Sequence, residues 1–144
     1  MCCRAEVLQF CSANGVFVAS GSHDDIRGNS IFGNTSLGID LASGANQNQA
    51  APVITTVNTL PGIFVVTGTL TSTPSKLFTI DVFANDTGGP SGRIFLGSAI
   101  AVTNNAGLAT FVFVGLRPAG GAHIITATAT DQQHNTSEFF TPVI

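Results

Sequence analysis

The chain has 144 residues, of which 44% are apolar and only 9% are charged, and its formal net charge is −3. This length suits one domain, or one small domain with a fragment of another, and the low charge predicts a surface of Thr, Ser, Asn and Gly. The five basic residues, of which Lys76 is the single lysine, form no basic patch, so we expect no nucleic-acid partner. No apolar stretch approaches the roughly 20 residues of a transmembrane helix, so we expect no membrane span.

Residues 1–13 match none of the patterns found further along the chain, and we leave them unassigned. They contain all three cysteines, Cys2, Cys3 and Cys11, so no disulfide framework is expected in the rest of the chain. The first ten residues lack the apolar run of a secretory signal peptide. We therefore expect no export signal in this chain.

An internal repeat runs through residues 14–45. The segment 15–21 (GVFVASG) aligns with the segment 38–44 (GIDLASG) at an offset of 23 residues. A period in the low twenties, with short extended segments and Asn or Gly at the bends, is typical of a right-handed parallel β-helix. In such coils Phe17 and Asp40 face outward, and four apolar residues stack inside. The stacked residues are Val16, Val18, Ile39 and Leu41. The alternative is two unrelated strands bounded by glycines.

Residues 14–45 contain too few coils for a β-helix that is stable by itself. Coils bury their apolar faces against neighbouring coils, and about three or more are needed. We therefore expect these to be the last coils of a longer β-helix, with upstream coils of the parent chain as their partner. The polar stretch that follows ends at Pro52, a natural boundary before a second domain at residues 52–144.

Residues 52–144 consist of short alternating segments separated by turn residues. Eight such strands, with no helical periodicity between them, predict an antiparallel β-sandwich. Phe rings and small Ala side chains would interdigitate between its two sheets. The predicted strands are 53–57, 63–70, 77–84, 93–98, 100–103, 108–114, 124–130 and 138–143. The predicted core residues are Phe78, Ile80, Val82, Ala109, Phe111, Phe113, Ile125, Ala127 and Ala129.

From about residue 14 to its end, the sequence resembles a bacterial arrangement in which a right-handed parallel β-helix is followed by an immunoglobulin-like β-sandwich. The matching coil segments read IRGNSIFGN and LGIDL, and the matching sandwich segments read TGTL, FTIDVFAN and ITATATD. The resemblance implies an all-β fold made of terminal β-helix coils and an immunoglobulin-like antiparallel sandwich. It also implies a non-catalytic structural or adhesion module of a larger secreted protein, extracellular or at the cell surface.

Two other functions stay open on the sequence. The loops 85–92 and 116–121 would lie at one end of the sandwich, where they could bind a polysaccharide or a protein. The resemblance also admits the C-terminal remnant of a β-helix polysaccharide lyase, which needs a Lys or Arg base beside carboxylates. The charged groups available in the coil segment are Asp24, Asp25, Arg27 and Asp40. They fall in a bend or on different strands, so we predict no catalytic residues and no enzyme.

We predict no cofactor and no metal ligands, although one turn carries residues that could bind calcium. Asp131, Asn135 and Glu138 span one turn, and Ca²⁺ takes about six to eight oxygen ligands in flexible geometry. The alternative is that Asp131 and Asn135 close the turn through side-chain hydrogen bonds to the backbone. The three histidines lack the spacing of metal ligands and are expected in surface loops. They are His23, His123 and His134.

Overall fold

The computed structural model describes residues 7–9 as backbone and residues 13–86, 91–120 and 123–141 in full. This part of the chain is all-β, with ten strands, one 3₁₀ segment (Ala45–Asn48) and no α-helix. The strands are β1 (Val7–Gln9), β2 (Val16–Val18), β3 (Ser30–Phe32), β4 (Ile39–Leu41), β5 (Val53–Leu60), β6 (Ile63–Thr71), β7 (Leu77–Asn85), β8 (Ile94–Val102), β9 (Leu108–Leu116) and β10 (Ile124–Asp131). None of the described residues forms a helix of the length and hydropathy that crossing a membrane requires.

The first four strands form two parallel pairs, which we call the parallel pairs. β1 lies beside β3, with Val7 opposite Ser30, and β2 lies beside β4, with Val16 opposite Ile39. Both registers have the 23-residue offset of the sequence repeat. The chain therefore traces the same two-strand path twice, with the second pass directly beside the first.

The side chains of β2 and β4 alternate as the repeat predicts. Phe17 is exposed, whereas the four apolar residues predicted to stack inside are buried or half-buried. These four are Val16, Val18, Ile39 and Leu41. Asp40 is half-buried. Its carboxylate accepts a hydrogen bond of 2.7 Å from Nδ2 of Asn14.

The other six strands form two antiparallel three-stranded sheets. The front sheet has the order β5-β6-β9, and the back sheet has the order β10-β7-β8. The connections 72–76 and 103–107 carry the chain from one sheet to the other. The expected antiparallel sandwich is therefore present.

The core between the two sheets is the one that alternation predicts. All nine predicted core residues are buried and belong to a single apolar cluster, together with Phe64, Val66 and Leu70 of β6. Gly68 makes room for this packing, because a Cβ atom there would overlap the ring of Phe111. Large rings from the front sheet and small alanines from the back sheet thus share one core, as interdigitating layers require.

The predicted break between strands 93–98 and 100–103 is wrong, because both belong to the single strand β8. A bulge interrupts its pairing with β7, where Val82 faces Gly97 but Phe83 faces Phe95. Gly97 has a φ of 143°, which few residues other than glycine adopt. The bulge shifts the alternation by one residue, and this shift makes one strand look like two in the sequence.

The predicted strand 138–143 is not a strand in its described part. Residues 138–141 run beside β10 without regular ladder pairing, and residues 142–143 lie outside the described residues. Two backbone hydrogen bonds still tie this segment to β10. Ser137 donates to the carbonyl of Ala129, and Phe140 donates to that of Ala127.

Alternation also predicts that Asp81 and Phe83, on the outer face of β7, point away from the core. They do, yet both are buried. Contacts from residues 23–46 and 135–140 cover the outer side of β7 and β10. This covered face is the feature that sequence periodicity does not reveal. The division of the chain at Pro52 into two domains stays a prediction.

Candidate functional site

The parallel pairs meet the back sheet in a second apolar cluster, which we call the junction. Ile31 and Ile39 from the parallel pairs pack against Phe83 of β7 and against Phe139, and all four are at most 4% exposed. The rings of Phe83 and Phe139 are nearly perpendicular, with centroids 5.3 Å apart. Such edge-to-face contacts favour a fixed geometry. The junction therefore holds the two parts of the chain in one orientation.

The junction closes the free edges of β3 and β4. The backbone N–H of Ile31 donates to the carbonyl of Gly92 at 2.8 Å, and the N–H of Gly92 donates back at 2.7 Å. On β4, the N–H of Leu41 donates a hydrogen bond of 2.9 Å to Oε1 of Glu138. An exposed strand edge presents unpaired backbone groups that recruit other strands. Here Gly92 and Glu138, from the sandwich part of the chain, occupy the free edges of β3 and β4.

Gly92 can approach β3 only because it has no side chain. A Cβ atom at this position would overlap the ring of Phe139 and would lie 2.9 Å from Cδ1 of Phe83. Both rings belong to the junction, so neither has free space into which it can move. The close approach of two backbones is a common reason for glycine in a β structure.

A buried ion pair joins the parallel pairs to the middle of the back sheet. Arg27 donates two hydrogen bonds of 2.9 Å to Asp81, one from Nε to Oδ2 and one from a terminal nitrogen to Oδ1. The hydroxyl of Ser98 donates a third bond to Asp81 at 2.6 Å. The side chain of Asp81 is 1% exposed, and that of Arg27 is 38% exposed. The hydrogen bonds with Asp81 raise the pKa of Arg27 above its ordinary value, against the opposing effect of burial.

Two buried asparagines complete the junction. Asn46 lies in the left-handed region at φ 44°, and its amide binds the backbone N–H and carbonyl of Asp24 and the carbonyl of Thr136. Oδ1 of Asn135 accepts a hydrogen bond of 2.8 Å from the N–H of His23. These amides satisfy the backbone of the loop before β3, so that loop can be buried against the turn 131–136.

The structure brings together two of the three residues proposed for calcium. Oδ1 of Asp131 accepts hydrogen bonds from the N–H groups of Gln133 and Asn135, and Oδ2 accepts one from Nδ2 of Asn135. Glu138 instead faces Leu41. No group of three His, Cys, Asp or Glu side chains among the described residues is arranged to hold a metal ion. The hydrogen bonds of Asp131 and Asn135 are those of the turn-closing alternative. The absence of a metal site stays a prediction, with calcium as its open alternative.

Three of the four charged groups considered for lyase chemistry have side-chain partners. Arg27 binds Asp81 and Asp40 binds Asn14, while Oδ2 of Asp25 lies 2.9 Å from Nδ1 of His134. None of these partners is itself one of the four groups. Residues Cys2, Cys3 and Cys11 lie outside the described part of the chain.

The histidine prediction is right for His23 and His134, which are exposed, and wrong for His123. The side chain of His123 is buried, with its ring edge-on to Phe64 at 6.1 Å between centroids. Its Nε2 lies 3.3 Å from the carbonyl of Pro118, which anchors the start of β10. The contact with Phe64 accounts for the burial of the His123 ring.

The loops proposed for ligand binding are described only in part, because residues 87–90 and 121 lie outside the described residues. In the visible part Arg93 forms an ion pair with Asp86 and stacks over the ring of Phe32. Arg117 lies over the ring of Phe64. An apolar groove of about 330 Å³ lies elsewhere, between β5 and β10 and beside Phe140. None of these features selects a particular ligand.

No protein-family model matches the chain, and no curated protein matches its sequence. Function is therefore inferred from the geometry of the junction and of the two sheets.

The edge contact of Glu138 gives a direct test of the junction. We expect Glu138→Ala to lower the free energy of unfolding by about 1–2 kcal/mol, because the N–H of Leu41 loses its acceptor. Amide hydrogen exchange should show faster exchange at Leu41, while β9 keeps its protection. Glu138→Gln is the matched control, since its amide oxygen can still accept the bond. Equal losses in the two variants would contradict this role.

Proposed function

We propose that the chain is the C-terminal end of a right-handed parallel β-helix joined to an immunoglobulin-like sandwich. Its function would be that of a non-catalytic structural or adhesion module in a larger secreted or cell-surface protein. The observation that supports this most directly is the shared register of the parallel pairs, in which both pairs are offset by 23 residues. A constant offset on two successive strands is what a repeating coil produces.

The two edges of the parallel pairs differ, and this difference gives the stack a direction. The N–H of Val16 donates to Gly38, and the carbonyl of Val18 accepts from Ala42, so both groups face β4. In a parallel ladder the backbone of the residue between them, Phe17, faces the opposite side. No described strand lies there. Further coils would add on this upstream side.

The sandwich would serve as the terminal cap of the coil stack. Gly92 and Glu138 occupy the downstream edge, and the junction covers the apolar ends of β3 and β4. Solenoid proteins need a terminal cap to remain soluble, because an open edge recruits other strands. Arg27, Asp25 and Asp40 have side-chain partners, which favours a supporting role over a catalytic one.

Adding one coil tests the proposal. We expect that a second copy of residues 16–38, inserted after Gly38, will raise the melting temperature, because the new coil adds nearest-neighbour contacts in the existing register. Thermal unfolding followed by circular dichroism measures this shift.

The matched control carries the same insertion with one additional serine. A one-residue shift sends every side chain of a strand to the opposite face, so this variant should gain no stability. If the two insertions had the same effect, the offset would not be a coil period, and the β-helix assignment would fail.

A further inference from the structure

The outer face of the front sheet is apolar although it faces solvent. Four of the five outward side chains of β9 are Leu or Val, and they are between 52% and 79% exposed. They are Leu108, Val112, Val114 and Leu116. An antiparallel sheet with one face in water normally carries polar residues on that face. Strand β10 of the back sheet shows the reverse pattern, because its covered outer side chains are threonines.

The apolar side chains form a continuous band across the front sheet. Ile63 pairs with both Leu60 and Leu116, and Val65 pairs with Val114, so these side chains are neighbours across all three strands. The remainder of the face is mostly threonine. None of the residues in β5, β6 and β9 is charged.

We propose that this face binds the same face of a second copy of the chain, in a symmetric dimer. Around a two-fold axis the same patch meets itself, so a patch that carried charges of one sign would oppose like charges. A charge-free face avoids that repulsion. Threonine hydroxyls both donate and accept hydrogen bonds, so they can pair with their symmetry mates. A polysaccharide is a poorer occupant, because the band contains no aromatic ring on which a sugar could stack.

The size of the face sets the strength of the dimer. Three strands of about nine residues cover roughly 14 by 30 Å, so two copies would bury about 900 Å² in total. That area is below the standard size for stable complexes and fits a weak, reversible association. The dimer should therefore form at micromolar to millimolar concentration. This inference does not depend on the β-helix assignment.

Sedimentation equilibrium of the full chain, from about 5 to about 500 µM, tests the proposal. We expect a monomer–dimer equilibrium, which Val112→Lys should weaken more than about tenfold, because the two copies would place like charges together. Leu116→Lys is a second variant on the same face. Ile100→Lys is the matched control, since Ile100 is 56% exposed but lies on the outer face of β8 in the back sheet.

Circular dichroism should show that all three variants keep the fold, because the replaced side chains are exposed. A chain that is monomeric at every concentration would overturn the proposal. So would a dimer that both front-face variants leave intact, or one that Ile100→Lys disrupts as strongly.

Discussion

Phe83→Ala is expected to lower the free energy of unfolding by about 3–5 kcal/mol. The ring of Phe83 is buried and contacts Phe139 and Phe95, with centroids 5.3 and 5.5 Å away. The space left by the ring is bounded by Gly92 and Ile31, whose backbones bind each other. These bonds limit collapse into the cavity, and a cavity that cannot collapse gives the larger losses. Urea denaturation followed by circular dichroism measures the change.

Phe95→Ala is the matched control for this prediction. Phe95 lies beside Phe83 on the same face of the back sheet, but it is 44% exposed. We expect its replacement to cost about 1 kcal/mol or less, since exposed positions lose little apolar burial. Similar losses at the two positions would mean that the parallel pairs do not cover the outer face of the back sheet.

Two features of the fold could be predicted from the sequence because both are periodic. The 23-residue offset between Val16 and Ile39 became a strand register, since the two similar segments pair with each other in parallel. The alternation of Phe78, Ile80 and Val82 became one side of the sandwich core, because the side chains of a strand alternate with a period of two. Both patterns are visible in one amino-acid sequence, without an alignment of relatives.

The junction could not be predicted, because its partners are far apart in the chain. Asp81 and Phe83 read as outward residues, and only the cover supplied by Arg27 and Phe139 makes them buried. Gly92 reads as an ordinary turn glycine until it faces Ile31. Periodicity identifies the two faces of a strand, but it does not say what lies against the second face.

One residue of β7 departs from the pattern of a solvated face. The outer side chains of this strand are Thr79, Asp81, Phe83 and Asn85, of which only Phe83 is apolar. A strand with one face in water also carries polar residues on that face, so a single phenylalanine does not predict a cover. The threonines of the neighbouring strand β10 fit a solvated face equally well.

Arg27→Ala is expected to lower the free energy of unfolding by about 2–3 kcal/mol at neutral pH, because it leaves the buried carboxylate of Asp81 without its cation. The loss is below the usual range for a buried pair because Arg27 is partly exposed and water can replace it. The raised pKa of Arg27 stabilises the fold at every pH below its ordinary value. That contribution disappears only as strongly alkaline pH passes the raised value. Urea denaturation at pH 7 is therefore the appropriate measurement.

Two further variants separate the buried charge from the loss of contacts. Arg93→Ala removes a cation from the pair with Asp86, in which both side chains are largely exposed, and should cost less than about 1 kcal/mol. The double variant Arg27→Met, Asp81→Leu removes both charges and should be more stable than Arg27→Ala, because no unpaired charge remains buried. If the double variant were no more stable than Arg27→Ala, lost packing would explain the effect. In that case the ion pair would not be what holds the parallel pairs to the back sheet.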